Sequence, residues 1–316
     1  MPAGRPVTKW TAADGGAVAS ASRSRLMRAA TWASLAVAAI LIVAKLLAWL
    51  ATGSVVMLSS LVDSALDLVA SGIAWLAVRH ALTPADREHR FGHGKSEALA
   101  AFAQAGFILA SALGLALAAG DRLLHPQAIA RGEIGLAVTA LAIVLTLALV
   151  LFQRFVVRRS GSLAIAADSM HYMGDLLSNL AAAATLAAVI WFDVPWLDSV
   201  GAILIALYLL AGVRGLLRRS LDVLLDHELP EIERDRIKAI VRGFPGVRDM
   251  HDLRTRSSGS TRFIQLHVEL DPTTSLIAAH QTGDAIETAI LADFPQAEII
   301  LHLDPHGVEE PRARFA

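Results

Sequence analysis

The stretch Val62-Asp63-Ser64-Ala65-Leu66-Asp67-Leu68 places two carboxylates inside an otherwise apolar run that covers residues 55–78. A run of this length crosses a bilayer as an α-helix. Asp63 and Asp67 are four residues apart, so a helix projects both side chains from one face. Each charge near the membrane centre costs about 2.5–3.5 kcal/mol on insertion scales. The pair therefore indicates a compensating cation at this depth.

The composition restricts the class of protein and the chemistry of any metal site. Hydrophobic residues make up 55% of the 316 residues, a high share for a soluble globular protein. They are concentrated in long blocks between residues 29 and 217, and the remainder has the composition of a soluble domain. The chain contains no cysteine, which excludes disulfides and thiolate sites, so a transition metal must be bound by His, Asp or Glu.

The apolar blocks predict six transmembrane helices. We expect them at residues 29–50, 55–80, 96–119, 134–157, 162–192 and 196–217. The loops at 51–54 and 193–195 contain neither Lys nor Arg, whereas Arg and Lys are frequent after the second, fourth and sixth segments. By the positive-inside rule both termini are predicted to be cytoplasmic. Residues 1–28 have no signal-peptide pattern and are predicted to be a flexible cytoplasmic tail.

The last part of the chain has a different pattern, which predicts a small soluble domain. Helical periodicity follows Pro230 and returns over 276–291. Alternating apolar residues predict strands at 247–256 and 263–270, joined by a turn at 257–260, with a short last strand at 298–303. The order αββαβ indicates an open-faced α+β sandwich. The expected domains are thus the tail at 1–28, a transmembrane domain at 29–220 and a small cytoplasmic domain at 221–316, for which the resemblance described below implies metal binding and dimerisation.

A second polar pair lies in the fifth apolar segment. His171 and Asp175 are four residues apart, so they also share one helix face. If the two helices face each other, they present three carboxylates and one imidazole, a donor set suited to a tetrahedral Zn²⁺-like ion. The alternative is that each pair caps or hydrogen-bonds within the bundle.

Two further ionisable residues in the apolar blocks each have two interpretations. Asp168, three residues before His171, is either an outer-shell or entrance group of the site, or a solvated residue at the start of the helix. Lys45 in the first segment either extends its ammonium toward the nearer interface or pairs with a buried carboxylate.

Two more clusters of possible metal ligands lie outside the apolar segments. The spacing of three and four in Asp86, His89 and His93 can place three ligands around one ion; the alternative is a charged, solvated loop. In the C-terminal domain, the separation of two residues in a strand puts His302 and Asp304 on one face. The candidate ligands in that domain are His251, His267, His280, His302 and Asp304, with His306 nearby.

Four stretches resemble the motifs of the cation diffusion facilitator family, in particular its bacterial zinc and ferrous-iron efflux branch. They read LVDSALD (61–67), FGHGKSE (91–97), ADSMHYMGD (167–175) and HDLRTR (251–256). They occur in family order and cover nearly everything after residue 30. The resemblance implies a homodimeric cation/proton antiporter of the cell inner membrane, with six spans and a cytoplasmic ferredoxin-like domain. Membrane lipid and protons are the other expected partners, and no nucleic acid is expected.

The same resemblance implies roles for individual residues. The transport site would consist of Asp63, Asp67, His171 and Asp175. The loop site would consist of Asp86, His89 and His93. The cytoplasmic two-ion site would consist of His251, His267, His302 and Asp304, completed by His280. Lys95 and Asp226 resemble a charge pair that couples the membrane and soluble parts at the dimer centre. At His306 close relatives need not have a histidine, so it is an extra ligand or has no role.

The expected mechanism is efflux rather than catalysis. Metal binding requires deprotonated ligands, so His171 and Asp67 are the predicted proton-coupling residues. Zn²⁺ is the expected ion, both transported and structural, and Cd²⁺ and Fe²⁺ also suit the donor set. The alternatives are a membrane-embedded metal-dependent hydrolase and a metal sensor. The sequence contains no His-Glu-x-x-His, Gly-x-Ser-x-Gly or Walker-type motif, which argues against an enzyme.

Overall fold

The computed structural model describes residues 14–124, 133–192 and 197–308. The chain divides into two compact units. Residues 26–227 form a helical unit, and most of the chain from residue 228 onward forms an α+β unit. The predicted combination of a helical transmembrane domain and an αββαβ domain is confirmed.

The helical unit contains six long helices. They are α1 (Asp14–Thr52), α2 (Val55–Ala81), α3 (Lys95–Leu124), α4 (Glu133–Ser160), α5 (Leu163–Phe192) and α6 (Leu197–Leu224). Within the described residues, α1, α2, α3, α4 and α6 are long and apolar enough to cross a membrane. Helix α5 is equally long at 30 residues and contains the polar residues of the predicted site.

The first helix begins earlier than the sequence predicts. Residues 14–28 belong to α1, within the stretch expected to be a flexible tail. This segment contains no proline, and its alanine, arginine, leucine and methionine residues have high helix propensity, so the helix extends beyond its apolar part. The predicted connections at 121–133 and 193–195 fall mostly on residues 125–132 and 193–196, which lie outside the described residues.

The helices bury small residues and expose large apolar ones. Ala101 and Ala105 of α3 are buried against Ile205 and Leu209 of α6. Large side chains on the outer faces are exposed, among them Leu117, which is 75% exposed. This distribution is expected where lipid is the solvent, because small residues let helices approach closely and apolar surface needs no burial from water.

Asp168 forms a buried polar hub that connects four helices. Its Oδ2 accepts hydrogen bonds from Ser34 Oγ of α1 at 2.5 Å and from Gln153 Nε2 of α4 at 2.7 Å. Its Oδ1 accepts one from Ser71 Oγ of α2 at 3.2 Å, and Ser71 also contacts the Tyr172 hydroxyl at 2.9 Å. All five side chains are buried. Asp168 is therefore not a solvated residue at the start of α5, and it fixes α5 against its neighbours.

The α+β unit is a three-stranded sheet with two helices on one face. Its elements are α7 (Glu231–Arg242), β1 (Val247–Ser258), β2 (Thr261–Leu270), α8 (Leu276–Asp293) and β3 (Ala297–Pro305). The strand order is β1-β2-β3, and β2 and β3 are parallel. Ile264 and Leu266 of β2 are buried in one core with Ile237 of α7 and Ile286 of α8. Since side chains alternate along a strand, the residues between them point to the face that the helices do not cover.

The hub makes a prediction about stability. We expect Ser34→Ala to lower the stability of the helical unit by about 1–3 kcal/mol, because it leaves buried polar atoms of Asp168 and Gln153 short of a partner. The measurement is thermal unfolding of the full chain in detergent. Ser59→Ala is the matched control, since Ser59 is an exposed serine on α2. Equal stability of the two variants would contradict a structural role for the hub.

Candidate metal sites

The predicted membrane site brings together three of its four residues, from α2 and α5. Ligand atoms of Asp67, His171 and Asp175 lie within 4.8 Å of one another. His171 Nε2 is 2.9 Å from Asp67 Oδ1 and 3.8 Å from Asp175 Oδ2. Among the described residues, Asp175 Oδ2 is buried and has no hydrogen-bond partner. A buried acceptor of this kind is costly, and a cation placed between the two carboxylates would satisfy it.

Asp63 lies outside this group. Its side chain is exposed, and it is one turn earlier on α2 than Asp67. Four residues of an α-helix advance about 6 Å along the axis, so its carboxylate must rotate toward α5 to reach an ion held by the other three. Its role as the fourth ligand stays a prediction.

Lys45 ties α1 to α2 beside the aspartates. Its ammonium donates to the Ser60 carbonyl at 3.1 Å and to Ser64 Oγ at 2.6 Å. The two predicted roles were a side chain extended to the interface and a partner for a carboxylate. The hydrogen bonds hold the ammonium against α2, next to Asp63 in sequence, where its positive charge acts on the carboxylates of Asp63 and Asp175. Of the two predicted roles, the structure favours the partner of a carboxylate.

The loop cluster is also assembled. Ligand atoms of Asp86, His89 and His93 lie within 4.8 Å of one another. Asp86 Oδ2 is 3.3 Å from His93 Nε2, and Asp86 Oδ1 is 3.5 Å from His89 Nδ1. Backbone N–H groups of His89 and Glu88 donate to Asp86 Oδ1 and lower the pKa of Asp86 below its ordinary value. The carboxyl group is therefore ionised at neutral pH, as a metal ligand must be.

Thr83 orients the buried histidine of the loop cluster, a role that the sequence analysis missed. Its hydroxyl donates to the His80 carbonyl at 2.5 Å and lies 3.1 Å from His93 Nδ1. A hydroxyl has one hydrogen, so the second contact is an N–H of His93 donating to Thr83. The other ring nitrogen, Nε2, then faces Asp86 with its lone pair. This is how an outer-shell group prepares a histidine for a metal.

The cytoplasmic cluster lies on the sheet face that the helices do not cover. In this cluster the ligand atoms of His251, His267 and Asp304 lie within 4.8 Å of one another. The register pairs His267 of β2 with His302 of β3, which puts the two imidazoles side by side, with ring centroids 4.6 Å apart. Asp304 is buried, and its carboxylate is 2.8 Å from His267, 3.0 Å from His302 and 3.7 Å from His251.

Glu269 is a further member of this cluster that the sequence analysis missed. Its carboxylate is 2.9 Å from His251 Nδ1 and 2.7 Å from His306 Nδ1. Glu269 thus holds one nitrogen of His251 while the other faces Asp304, which is a carboxylate–histidine arrangement common at metal sites. The signal in the sequence is its spacing of two from His267 on a strand. His306, which the sequence allows as an extra ligand or as a residue without a role, contacts Glu269.

The structure does not bring His280 to the cluster within one chain. His280 is exposed on α8 and lies 3.6 Å from Asp284. The helix packs on the core face of the sheet, whereas His267 and Asp304 point to the other face. A single copy therefore cannot use His280 to complete the site, and its predicted role requires a second copy of the chain.

Lys95 and Asp226 form the expected ion pair. Lys95 Nζ is 2.9 Å from Asp226 Oδ1 and also donates to the Leu224 carbonyl at 3.3 Å. The pair links the first residue of α3 to the segment just after α6. Its predicted role in coupling the membrane and soluble parts stays a prediction.

Comparisons with known proteins cover nearly the whole chain. Residues 31–225 match the model of the cation efflux transmembrane domain, and residues 229–306 match that of the cation efflux protein cytoplasmic domain. The cation-efflux pump FieF of Shewanella oneidensis is 47% identical over 287 residues, which are 90% of this chain and 95% of that protein. FieF of Pectobacterium carotovorum is 46% identical over 282 residues, 89% of this chain and 94% of that protein.

A solved structure is similar to the C-terminal part alone. The metal-bound C-terminal domain of the CzcD transporter from Thermotoga maritima is 28% identical, and the match covers 26% of this chain and 100% of that one, with a TM-score of 0.25.

These matches establish the class of protein. Members of this family are transporters and not enzymes, so the hydrolase alternative is wrong. The apolar helices and the family together make the chain a multi-pass inner membrane protein that acts in divalent cation efflux. Both domains of the cation efflux family are present, the transmembrane domain followed by the cytoplasmic domain. The predicted family is confirmed: the chain belongs to the cation diffusion facilitator family.

Proposed function

We propose that this protein exports Zn²⁺, and also Cd²⁺ or Fe²⁺, from the cytoplasm in exchange for protons. The observation that carries the proposal is the convergence of Asp67, His171 and Asp175 between two helices of the membrane unit. Ionisable groups within membrane segments are rare and mark ion pathways. Asp63 would join these three ligands by a side-chain rotation when the ion enters, giving three oxygens and one nitrogen.

The donor set supports a divalent transition metal as the substrate. Carboxylate and imidazole ligands together suit Zn²⁺ and its neighbours, whereas an all-oxygen site would favour Mn²⁺, Mg²⁺ or Ca²⁺. Three carboxylates also give the site a net negative charge, which a divalent ion compensates better than a monovalent one. The same donors bind Zn²⁺, Cd²⁺ and Fe²⁺, so availability in the cell would decide among them.

The exchange with protons follows from the contact between His171 Nε2 and Asp67. A proton between these atoms makes the 2.9 Å contact a hydrogen bond. A metal bound to Nε2 needs the same lone pair, so the nitrogen holds either a proton or the ion. Proton entry from the outside would then release the ion, and alternating access would carry the site between the two faces.

The proposal also covers the orientation of the chain in the membrane and its oligomeric state. The distribution of Arg and Lys among the loops supports cytoplasmic termini. We propose that the membrane-embedded part extends from about residue 29 to 220, as the sequence predicts, with the ends of α1 and α6 projecting beyond it. We also propose a homodimer formed through the cytoplasmic domain, whose family model is a dimerisation domain. The ligands His251, His267 and Asp304 fit a structural Zn²⁺, since they offer two imidazoles and a carboxylate.

The transport site is tested by substitutions at its closest contact. We expect Asp67→Ala and His171→Ala to abolish zinc uptake by proteoliposomes, because each removes a ligand and the proton position that is exchanged for it. Ser59→Ala, an exposed position on α2, should transport like the parent protein. Gel filtration and thermal unfolding establish that the variants are folded. Full transport by either variant would refute the site.

Proton exchange is tested separately from metal binding. We expect zinc uptake driven by an imposed pH gradient to stop when an ionophore collapses the gradient, and zinc addition to move protons out of the vesicles in the absence of that gradient. A pH-sensitive dye inside the vesicles reports this movement. Because protons compete for the ligands, apparent zinc affinity should fall as the pH is lowered. Zinc movement without any proton signal would leave an exporter but exclude an antiporter.

The cytoplasmic site is tested by thermal stability. Zinc should raise the melting temperature of the α+β unit, by an amount that corresponds to about 2.7 kcal/mol at a hundred times the dissociation constant. Asp304→Ala should remove this rise, and Glu269→Gln should weaken zinc binding by about 10- to 100-fold, the usual effect of an outer-shell change. Glu298→Gln, an exposed carboxylate on β3, is the matched control. A zinc response that survives Asp304→Ala would contradict the assignment.

A further inference from the structure

We propose that His80 is a fourth ligand of the loop cluster and completes a tetrahedral site for a divalent transition metal. The inference rests on the loop cluster of Asp86, His89 and His93 binding metal, which the family resemblance implies. His80 belongs to no predicted site, because the sequence places it at the end of the second transmembrane helix.

The fold brings His80 to the cluster from the last turn of α2. Its ring centroid is 4.3 Å from that of His93, and the two ring planes are inclined at 64°. On the other side, the His89 ring lies 4.6 Å from His93. His93 is buried between them, whereas His80 and His89 are exposed. The ligand atoms of Asp86, His89 and His93 already lie within 4.8 Å of one another, and the His80 ring contacts the buried member of this group, so a change of its side-chain rotamer would bring a third imidazole to the same ion.

One hydroxyl group holds both His80 and His93 in place. The Thr83 side chain and backbone N–H both bind the His80 carbonyl, at 2.5 and 2.9 Å. The same side chain accepts the His93 Nδ1 hydrogen. The backbone of His80 is therefore fixed relative to the ring of His93, and only rotation about the His80 side-chain bonds is needed to turn a nitrogen toward the metal.

The resulting donor set is three nitrogens and one oxygen. Zn²⁺ in closed sites is bound by four ligands in a tetrahedron, and imidazole with carboxylate is among its usual combinations. Three ligands alone would leave an open position for water. A fourth protein ligand would therefore raise the affinity, and the two exposed histidines would let the ion enter from solvent. The chemistry is that of a retained ion rather than of the transported one.

A different explanation of the 4.3 Å contact is that the His80 ring only packs against His93. Substitution with phenylalanine distinguishes the two explanations, because it keeps an aromatic ring at this position but offers no nitrogen. If His80 is a ligand, His80→Phe and His80→Ala should weaken metal binding equally. If it only packs, His80→Phe should behave like the parent protein.

The experiment uses the full chain in detergent, with Asp67→Ala and Asp304→Ala to disable the other two clusters. Zinc affinity is measured by competition with a chromophoric chelator. We expect His80→Phe to lower the zinc affinity at least tenfold, because loss of a ligand should cost no less than loss of an outer-shell group. His89→Ala should lower the affinity further. His227→Phe is the matched control, since His227 is an exposed histidine outside the three clusters, and it should have no effect.

A spectroscopic readout guards against variants that are merely misfolded. The visible absorption of Co²⁺ substituted for zinc depends on the identity and geometry of its ligands, so replacement of an imidazole by water in His80→Phe should change the position and strength of these bands while the unfolding temperature without metal is unchanged. Retained affinity in His80→Phe, together with loss in His89→Ala, would overturn the ligand role of His80 and leave the loop site intact. Unchanged binding in both variants would overturn the loop site as well, without affecting the transport site.

Discussion

The contact between Asp67 and His171 is the constraint on which the membrane unit depends. Two ionisable groups on different helices meet at 2.9 Å within a layer where neither would be stable alone. A proton lies between the two groups in one state, and in the proposed cycle a divalent ion binds both of them in the other. Because both species occupy the same space between α2 and α5, the separation of these helices must stay within the reach of two short side chains.

Hydrogen bonding, rather than apolar burial, supplies this separation. Apolar side chains gain little by leaving lipid for a helix interface, so α5 needs directional contacts to hold its position. Asp168 provides them one turn before His171, through donors on α1, α2 and α4. Lys45 adds a second connection between α1 and α2. Neither Asp168 nor Lys45 is a proposed metal ligand. The residues that hold the helices in position are therefore different from the residues that bind the ion.

Periodicity and spacing predicted much of this structure, and the errors have identifiable causes. Six apolar runs and an αββαβ pattern were sufficient for the fold, because helix length and strand alternation are local properties. The pairs Asp63/Asp67 and His171/Asp175 were found because spacing of four marks one helix face. Thr83 and Glu269 were missed, since each acts through a neighbour in space, and neither residue type is unusual in its local sequence. The start of α1 was missed because the polar composition of residues 14–28 indicates a flexible tail, although several residues there have high helix propensity.

The three clusters differ in how their histidines are held, and this difference bears on what each cluster does. In the loop and cytoplasmic clusters, Thr83 and Glu269 bind one ring nitrogen of His93 and His251, so the other nitrogen is presented to a metal. Such support raises metal affinity and favours retention. At His171, by contrast, Asp67 contacts Nε2, the nitrogen that also faces Asp175. Here the polar neighbour competes with the ion for one lone pair. A site that must release its ion on every cycle benefits from this competition, whereas a resident ion would be weakened by it.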